Sequence, residues 1–204
     1  MDKPAPVASR TRESFPDRVR LPLAFDPEPL AASIRALGKA AWSDHFVPDH
    51  YEGDWSILTL RAGPGATHPA RMIFCDSSVS AYVDTPALAA LPAFRAVLDL
   101  FPCGLKAVRL MRLAPGSAIK PHRDNHLRAE EGLARLHLPI VTSPEVDFRL
   151  NGRAVAMPAG SVWYLRLADR HEVINRGSCD RVHLVIDAIV DGWLRHMLRM
   201  GTQA

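Results

Sequence analysis

The second half of this chain is a series of short apolar runs cut apart by turn-forming residues, and no other feature limits the possible fold as strongly. The runs are Lys106–Leu113, Arg135–Thr142, Val146–Leu150, Ala154–Met157, Ser161–Leu167 and Val182–Val190. Between them lie Pro115-Gly116, Ser143-Pro144, Asn151-Gly152, Pro158-Ala159-Gly160 and Arg176-Gly177. Six runs this short within about 85 residues predict strands of a sandwich or barrel. Asn151-Gly152 predicts a two-residue hairpin turn, because both residues tolerate positive φ. Pro139 brings no N–H to the ladder, so a bulge or a sheet edge is expected within Arg135–Thr142.

The first half has a different texture. Residues 1–17 hold three prolines among mixed polar residues and read as a loose tail. Val19–Phe25 is apolar, and Pro22 makes it an edge strand at best. Asp26, Pro27 and Glu28 predict a helix start, Leu30, Ile34 and Leu37 its apolar stripe, and Gly38 its stop. Trp55–Leu60 reads as a strand and Met72–Cys75 as a further short one. Pro86–Phe101 reads as a helix broken near Pro92, with Leu88, Leu91, Val97, Leu98 and Phe101 on its apolar side. The expected class is mainly β with flanking helices. One domain is expected over 18–204, with 18–104 as support and 105–193 as core.

Composition removes several functions. Of the 204 residues, 48% are apolar and 23% charged, which suits a packed globule and excludes disorder of the whole chain. No run of about 18 apolar residues exists, so no membrane-spanning helix is expected. The N-terminus carries no apolar signal segment, and the cytosol is the expected compartment. Cys75, Cys103 and Cys179 form no CxxC pair and read as inert thiols. Net charge is +3, and 21 of the 25 basic residues are Arg. They are mixed with acids rather than clustered, which speaks against a nucleic-acid arm or a polybasic membrane patch. Guanidinium groups do suit carboxylate ligands.

The chemistry concentrates in His122-Arg123-Asp124, His171 and Arg181. His122 and Asp124 lie two residues apart, on one side of an extended chain, and His171 follows 49 residues later. Two imidazoles and one carboxylate on one face of a metal leave positions open for a cosubstrate and O2. The spacing alone is weak, because His50-x-Glu52 shows it too. Position strengthens it, since His122 and His171 both fall at ends of β-like runs, where a barrel mouth would lie. Arg181 opens the apolar run Val182–Ile189 and needs a partner. That partner is either a bound dicarboxylate or an internal carboxylate, Asp147 or Asp187. Arg135 and His137 share one face of their strand, toward a polar cavity or solvent. His126 is either a bystander or a substrate contact, and His183 either a core group or a support for the site. His45, His50, His68 and His196 read as surface residues, Trp163 and Trp193 as packing residues.

The stretches RLMRLAPGSAIKPHRDN, RLHLPIVTSPEVDFRLNG and AGSVWYLRLADRHEVINRGSCDRVHLVID together resemble the aspartyl/asparaginyl β-hydroxylase domain family, over about residues 105–193. The resemblance implies a double-stranded β-helix, or jelly-roll, and a dioxygenase dependent on Fe(II), 2-oxoglutarate and O2. It implies His122 and His171 as iron-binding histidines, and Arg181 as the grip on the far carboxylate of 2-oxoglutarate. It places Arg135 and His137 at the cosubstrate end near the metal. Two departures stand out. Asp124 completes a triad that the family's animal peptide hydroxylases lack, as in its bacterial branch, which includes proline hydroxylases. Met111 stands where the family has a Ser that helps hold 2-oxoglutarate. The expected substrate is an amino acid, a peptide residue or a related small molecule, with no nucleic-acid partner. The competing readings are a cupin-like protein that binds metal or 2-oxoglutarate without turnover, and a partner-binding domain suggested by the basic pI alone.

Overall fold

The computed structural model describes residues 13–66, 68, 70, 72, 79 and 81–203. Thirteen strands occur among them: β1 (Arg18–Ala24), β2 (Ser43–Asp44), β3 (Tyr51–Glu52), β4 (Trp55–Ala62), β5 (Val83–Asp84), β6 (Leu105–Leu113), β7 (Ala118–His122), β8 (Leu133–Val141), β9 (Val146–Leu150), β10 (Arg153–Ala154), β11 (Ser161–Leu165), β12 (His171–Asn175) and β13 (Arg181–Ile189). The α-helices are α1 (Glu28–Arg35), α2 (Pro86–Ala89), α3 (Pro92–Leu98) and α4 (Gly192–Met200). Strands β1, β11, β8, β13, β6, β4 and β2 form a large sheet in that order, with β5 beside β4; β10, β9, β12, β7 and β3 form a smaller one. Every pairing is antiparallel. The sheets remain separate layers, as in a jelly-roll, with the helices on the outside.

Period-two alternation divides the large sheet into two faces. Leu110, Leu136, Leu138, Tyr164, Leu184 and Ile186 point outward and form one core with Leu30, Leu88, Phe94, Leu98 and Leu194 of the helices. Each such Leu or Phe, fully buried, contributes roughly 1.5–3 kcal/mol. Met111, Leu113, Trp163, Leu165 and Val185 point inward and meet Ile119, Phe148, Leu150 and Val173 of the small sheet in a second core. The inner face also carries Arg109, Arg135, His137, Arg181, His183 and Asp187, a polar stripe inside the molecule.

Local expectations are met through identifiable chemistry. Asp26 Oδ1 accepts the Glu28 N–H at 3.0 Å and starts α1; the helix ends at Arg35, before Gly38. The Pro86–Phe101 helix breaks at Pro92 into α2 and α3. Asn151 (φ 52°) and Gly152 (φ 74°) make the left-handed pair that joins β9 to β10. Pro139 lies in the middle of the large sheet, and the β8–β13 register slips beside it: His183 faces Pro139 while Val182 faces Val141. The expected bulge is there, with Ile140 the extra residue. β1 is an edge strand, as Pro22 requires.

Other placements differ from the sequence reading or extend it. The supporting first half contributes strands as well as helices, because β4 lies against β6 and β1 against β11. Residues 13–17, read as tail, pack on the body. Phe15 is buried and its N–H donates to Glu130 Oε1 at 2.9 Å, while Glu13 pairs with Arg195 at 2.8 Å. His45 is buried rather than on the surface. Cys103 is buried and Cys179 exposed; residues 73–75, including Cys75, lie outside the described residues. Among the described residues no helix is long and apolar enough to cross a membrane.

Candidate metal centre and cavity

His122 ends β7 and His171 opens β12, and the two are paired across the ladder. Ile119 of β7 points into the inner core, so strict alternation would turn His122 outward. The register slips by one residue between His122↔His171 and Ile119↔Val173. Pro121 lies in that slip, where its missing N–H costs no ladder bond. The extra residue re-aims His122 to the side of His171. Their ring centroids are 4.2 Å apart.

Both rings are oriented by backbone carbonyls. His122 Nδ1 donates to Lys120 O at 2.7 Å and His171 Nδ1 to Asp169 O at 3.0 Å. Nδ1 is thereby engaged in each ring, and Nε2 is the atom left to face a metal. Burial pushes the pKa of His171 down to about 4 against the opposing pull of Asp124, so the ring is neutral near pH 7. Asp124 follows β7, its N–H fixed to Leu167 O at 2.8 Å. Its Oδ1 lies 3.7 Å from His122 Nε2. One ligand atom from each of His122, Asp124 and His171 falls within 4.8 Å of the other two. Burial works to raise the pKa of Asp124; the charges of Arg135 and nearby groups reverse that and hold the carboxyl below its ordinary value.

Arg135 joins this triad to the large sheet. Its Nη1 donates to Asp124 Oδ2 at 2.6 Å, while Nε and Nη2 donate to Asp187 Oδ1 and Oδ2 at 2.6 and 3.0 Å. Arg109 Nη1 also reaches Asp187 Oδ2, at 3.0 Å. Asp187 is completely buried. Its carboxyl is held below the ordinary range because Arg109 and Arg135 outweigh desolvation.

Arg181 is 2% exposed. The internal carboxylates proposed for it are engaged elsewhere: Asp187 with Arg109 and Arg135, Asp147 with Arg149 and Arg176. Among the described residues Arg181 forms no salt bridge. Its Nη2 donates to His183 Nδ1 at 2.9 Å and its Nε has no partner. Desolvation alone pushes its pKa down to about 9, so it is a buried cation at pH 7. His183 and His137 are buried beside it, and desolvation followed by the Arg181 charge keeps both neutral.

His122, Asp124, His171, Arg109, Arg135, His137 and Arg181 line one cavity of about 410 Å³, together with His45, Phe46, Trp55, Met111, Leu127 and Phe148. Four of the residues that line it carry a buried nitrogen with no hydrogen-bond partner: Arg181 Nε, Arg109 Nε, Trp55 Nε1 and His137 Nε2. Three of them are obligate donors, which suits an acceptor-rich, anionic ligand. Met111 lines this wall opposite His183 and offers no donor there. The two imidazoles, the carboxylate and the buried guanidinium fit a divalent metal with a dicarboxylate beside it.

The sequence-based site residues thus gather in one place. Arg109 and Asp187 were not singled out as site residues, nor was the stack of His45 on Trp55 (3.6 Å, 7°). The signal for the first two was available: a charged residue inside an apolar strand, Asp187 at the parity of Arg181 and Arg109 at that of Met111.

Two facing sheets with a His-Asp-His cluster at one end of the space between them define a jelly-roll with a candidate non-haem metal centre. Residues 37–190 match the aspartyl/asparaginyl β-hydroxylase family, and the chain belongs to that family. The match extends the resemblance, seen from residue 105 onward, into the first half. The L-proline cis-4-hydroxylase of Rhizobium meliloti (strain 1021) is 26% identical over 179 residues, 85% of this chain. The chain spans 62% of that relative's length. Among solved structures, a 2OG-Fe(II) oxygenase family oxidoreductase from Burkholderia pseudomallei superposes with a TM-score of 0.53 at 17% identity, covering 86% of each chain. The non-haem α-ketoglutarate-dependent epimerase of nogalamycin biosynthesis gives 0.55 at 11% identity, covering 85% of this chain and 77% of that one. These two likenesses establish the shared fold.

Proposed function

We propose that the protein is an Fe(II)- and 2-oxoglutarate-dependent dioxygenase that hydroxylates a C–H bond of an amino acid or peptide residue, with residues 18–204 acting as one oxygenase unit. The observation that carries this reading is Arg181, a buried guanidinium without a carboxylate, lining the same cavity as His122, Asp124 and His171. Iron with 2-oxoglutarate and O2 supplies the oxidising chemistry, giving hydroxylated substrate, succinate and CO2. The chain's part is to bind, orient and exclude water. In this reading His122, Asp124 and His171 hold the iron from one face. Arg181 takes the far carboxylate of the cosubstrate, and His137 and Arg135 stand at its near end. Phe46, Val47, Leu127 and Leu133 supply apolar wall. The L-proline cis-4-hydroxylase relative makes free proline the first substrate to try.

The test loads the purified protein with Fe(II) and screens proline, other free amino acids and short peptides for substrate-stimulated succinate and a product 16 Da heavier. Turnover with at least one substrate is expected, and its loss in His122→Ala while the circular dichroism spectrum is kept. A chain that binds metal and 2-oxoglutarate but forms no succinate with any of them would instead be the non-catalytic cupin-like protein.

A further inference from the structure

We propose that Asp187 is a positioning residue for the metal, acting through Arg135 to keep one oxygen of Asp124 available. The inference rests on the reading of His122, Asp124 and His171 as one metal site. A guanidinium left alone beside a carboxylate pairs with both of its oxygens. Arg135 does not treat Asp124 that way. It spends its paired contact on Asp187, through Nε and Nη2, and meets Asp124 with Nη1 at Oδ2. Oδ1 of Asp124 stays on the side of His122 Nε2.

The backbone fixes this division. Asp187 and Arg135 are directly opposed across the β13–β8 ladder, so their side chains meet without a loop or hinge between them. Arg109 holds Asp187 from the other neighbouring strand, and Asp187 is fully buried, so it has no alternative contact with water. Asp124, by contrast, sits beyond the end of β7 and is partly exposed. The rigid pair therefore sets where the less constrained carboxylate points. Removing the charge of Asp187 frees Arg135 to take both oxygens of Asp124, and the metal loses a ligand atom to a cation.

The experiment uses metal-free full-length protein titrated with Co(II), read by its visible d–d bands. Asp187→Asn should weaken Co(II) binding about tenfold to a hundredfold, the range expected when a group behind a metal ligand is lost, and should change the band intensities. Adding Arg135→Gln to Asp187→Asn should restore much of the affinity, because the competitor for Asp124 is gone. A purely structural role for Asp187 predicts the opposite, a double variant at least as impaired as the single one. If Asp187→Asn does not fold, Asp187→Glu carries the test, since the longer side chain cannot keep the same two-point contact with Arg135 and should shift both Co(II) affinity and bands. Wild-type affinity and bands in Asp187→Asn, or in Asp187→Glu where the first does not fold, would overturn this inference alone. Co(II) binding that is absent in wild type, or unchanged when His122 and His171 are both Ala, would overturn the metal-site reading and this inference with it.

Discussion

Arg181→Met should make the ligand-free protein more stable while abolishing its affinity for 2-oxoglutarate. The guanidinium is buried, makes one hydrogen bond to His183 and forms no salt bridge among the described residues. Its pKa, pushed from the ordinary value above 12 down to about 9, corresponds to roughly 5 kcal/mol of penalty on the charged form. The sign follows from proton binding. At pH 7 the group is charged in both folded and unfolded chains, and only the folded chain bears the desolvation cost; the cost is relieved as pH rises past 9. Part of it is recovered through the His183 bond, and Met fills similar volume. A net gain on the order of 1–4 kcal/mol is expected, as when buried ionic groups are replaced by apolar ones. Urea unfolding at pH 7 without ligand measures it. With Mn(II) present throughout, adding 2-oxoglutarate should stabilise wild type by about 2.7 kcal/mol at a hundredfold excess over Kd, and leave the variant unmoved. Arg181→Lys, which keeps the charge but loses the paired geometry, should bind 2-oxoglutarate about tenfold to a hundredfold more weakly, from a loss of roughly 1.5–3 kcal/mol. A Met variant that is less stable than wild type and still binds 2-oxoglutarate normally would refute the reasoning and make Arg181 a structural residue.

His45 is buried against Trp55, and desolvation holds its pKa at about 4. The unfolded chain takes up that proton near pH 6.5 and the folded chain does not, so stability falls as pH drops from about 6.5 toward 4. His45→Phe should lessen that slope by up to about 1.4 kcal/mol per pH unit, measured by urea midpoints at pH 7, 6 and 5. An unchanged slope would show that the ring takes up its proton without penalty in the folded chain. Tyr164 Oη accepts the buried Ala129 N–H at 3.0 Å; Tyr164→Phe should strand that donor and cost about 1–3 kcal/mol, and a loss near zero in the same assay would mean another acceptor replaces it.

The architecture was legible because alternation and turn chemistry are local. Asn151-Gly152, Pro92 and Pro22 each do what their backbone preferences dictate. The clustering of His122, Asp124 and His171 was legible because the two histidines fall at strand ends. The aim of His122 was not, since it depends on a one-residue slip between β7 and β12 that exists only once the two strands pair. Strict alternation would have sent that side chain to solvent. Arg135 was placed on the correct face, yet its carboxylates come from a loop 11 residues earlier and a strand 52 residues later, a distance no periodicity spans. His45 misled for a related reason: a polar ring is buried here because Trp55 offers a stacking surface from a strand it does not belong to.

The alternation along β13 bears on how such a chain diverges. Val182, Leu184, Ile186 and Ala188 serve one core, while on the other face Arg181 lines the cavity and His183 and Asp187 hold Arg181 and Arg135 beside it. The two sets share a strand but not a surface. Replacements at Arg181 can retune ligand preference without loosening the first set, and drift among the aliphatic residues of that set can proceed without touching the ligand. Descendants are free to explore both independently. The strand's length is a different matter. Inserting or deleting one residue exchanges the sets, turning the charged groups toward the helices and the aliphatic ones into the cavity. Lineages of this protein should therefore vary in the letters of β13 long before they vary in its count.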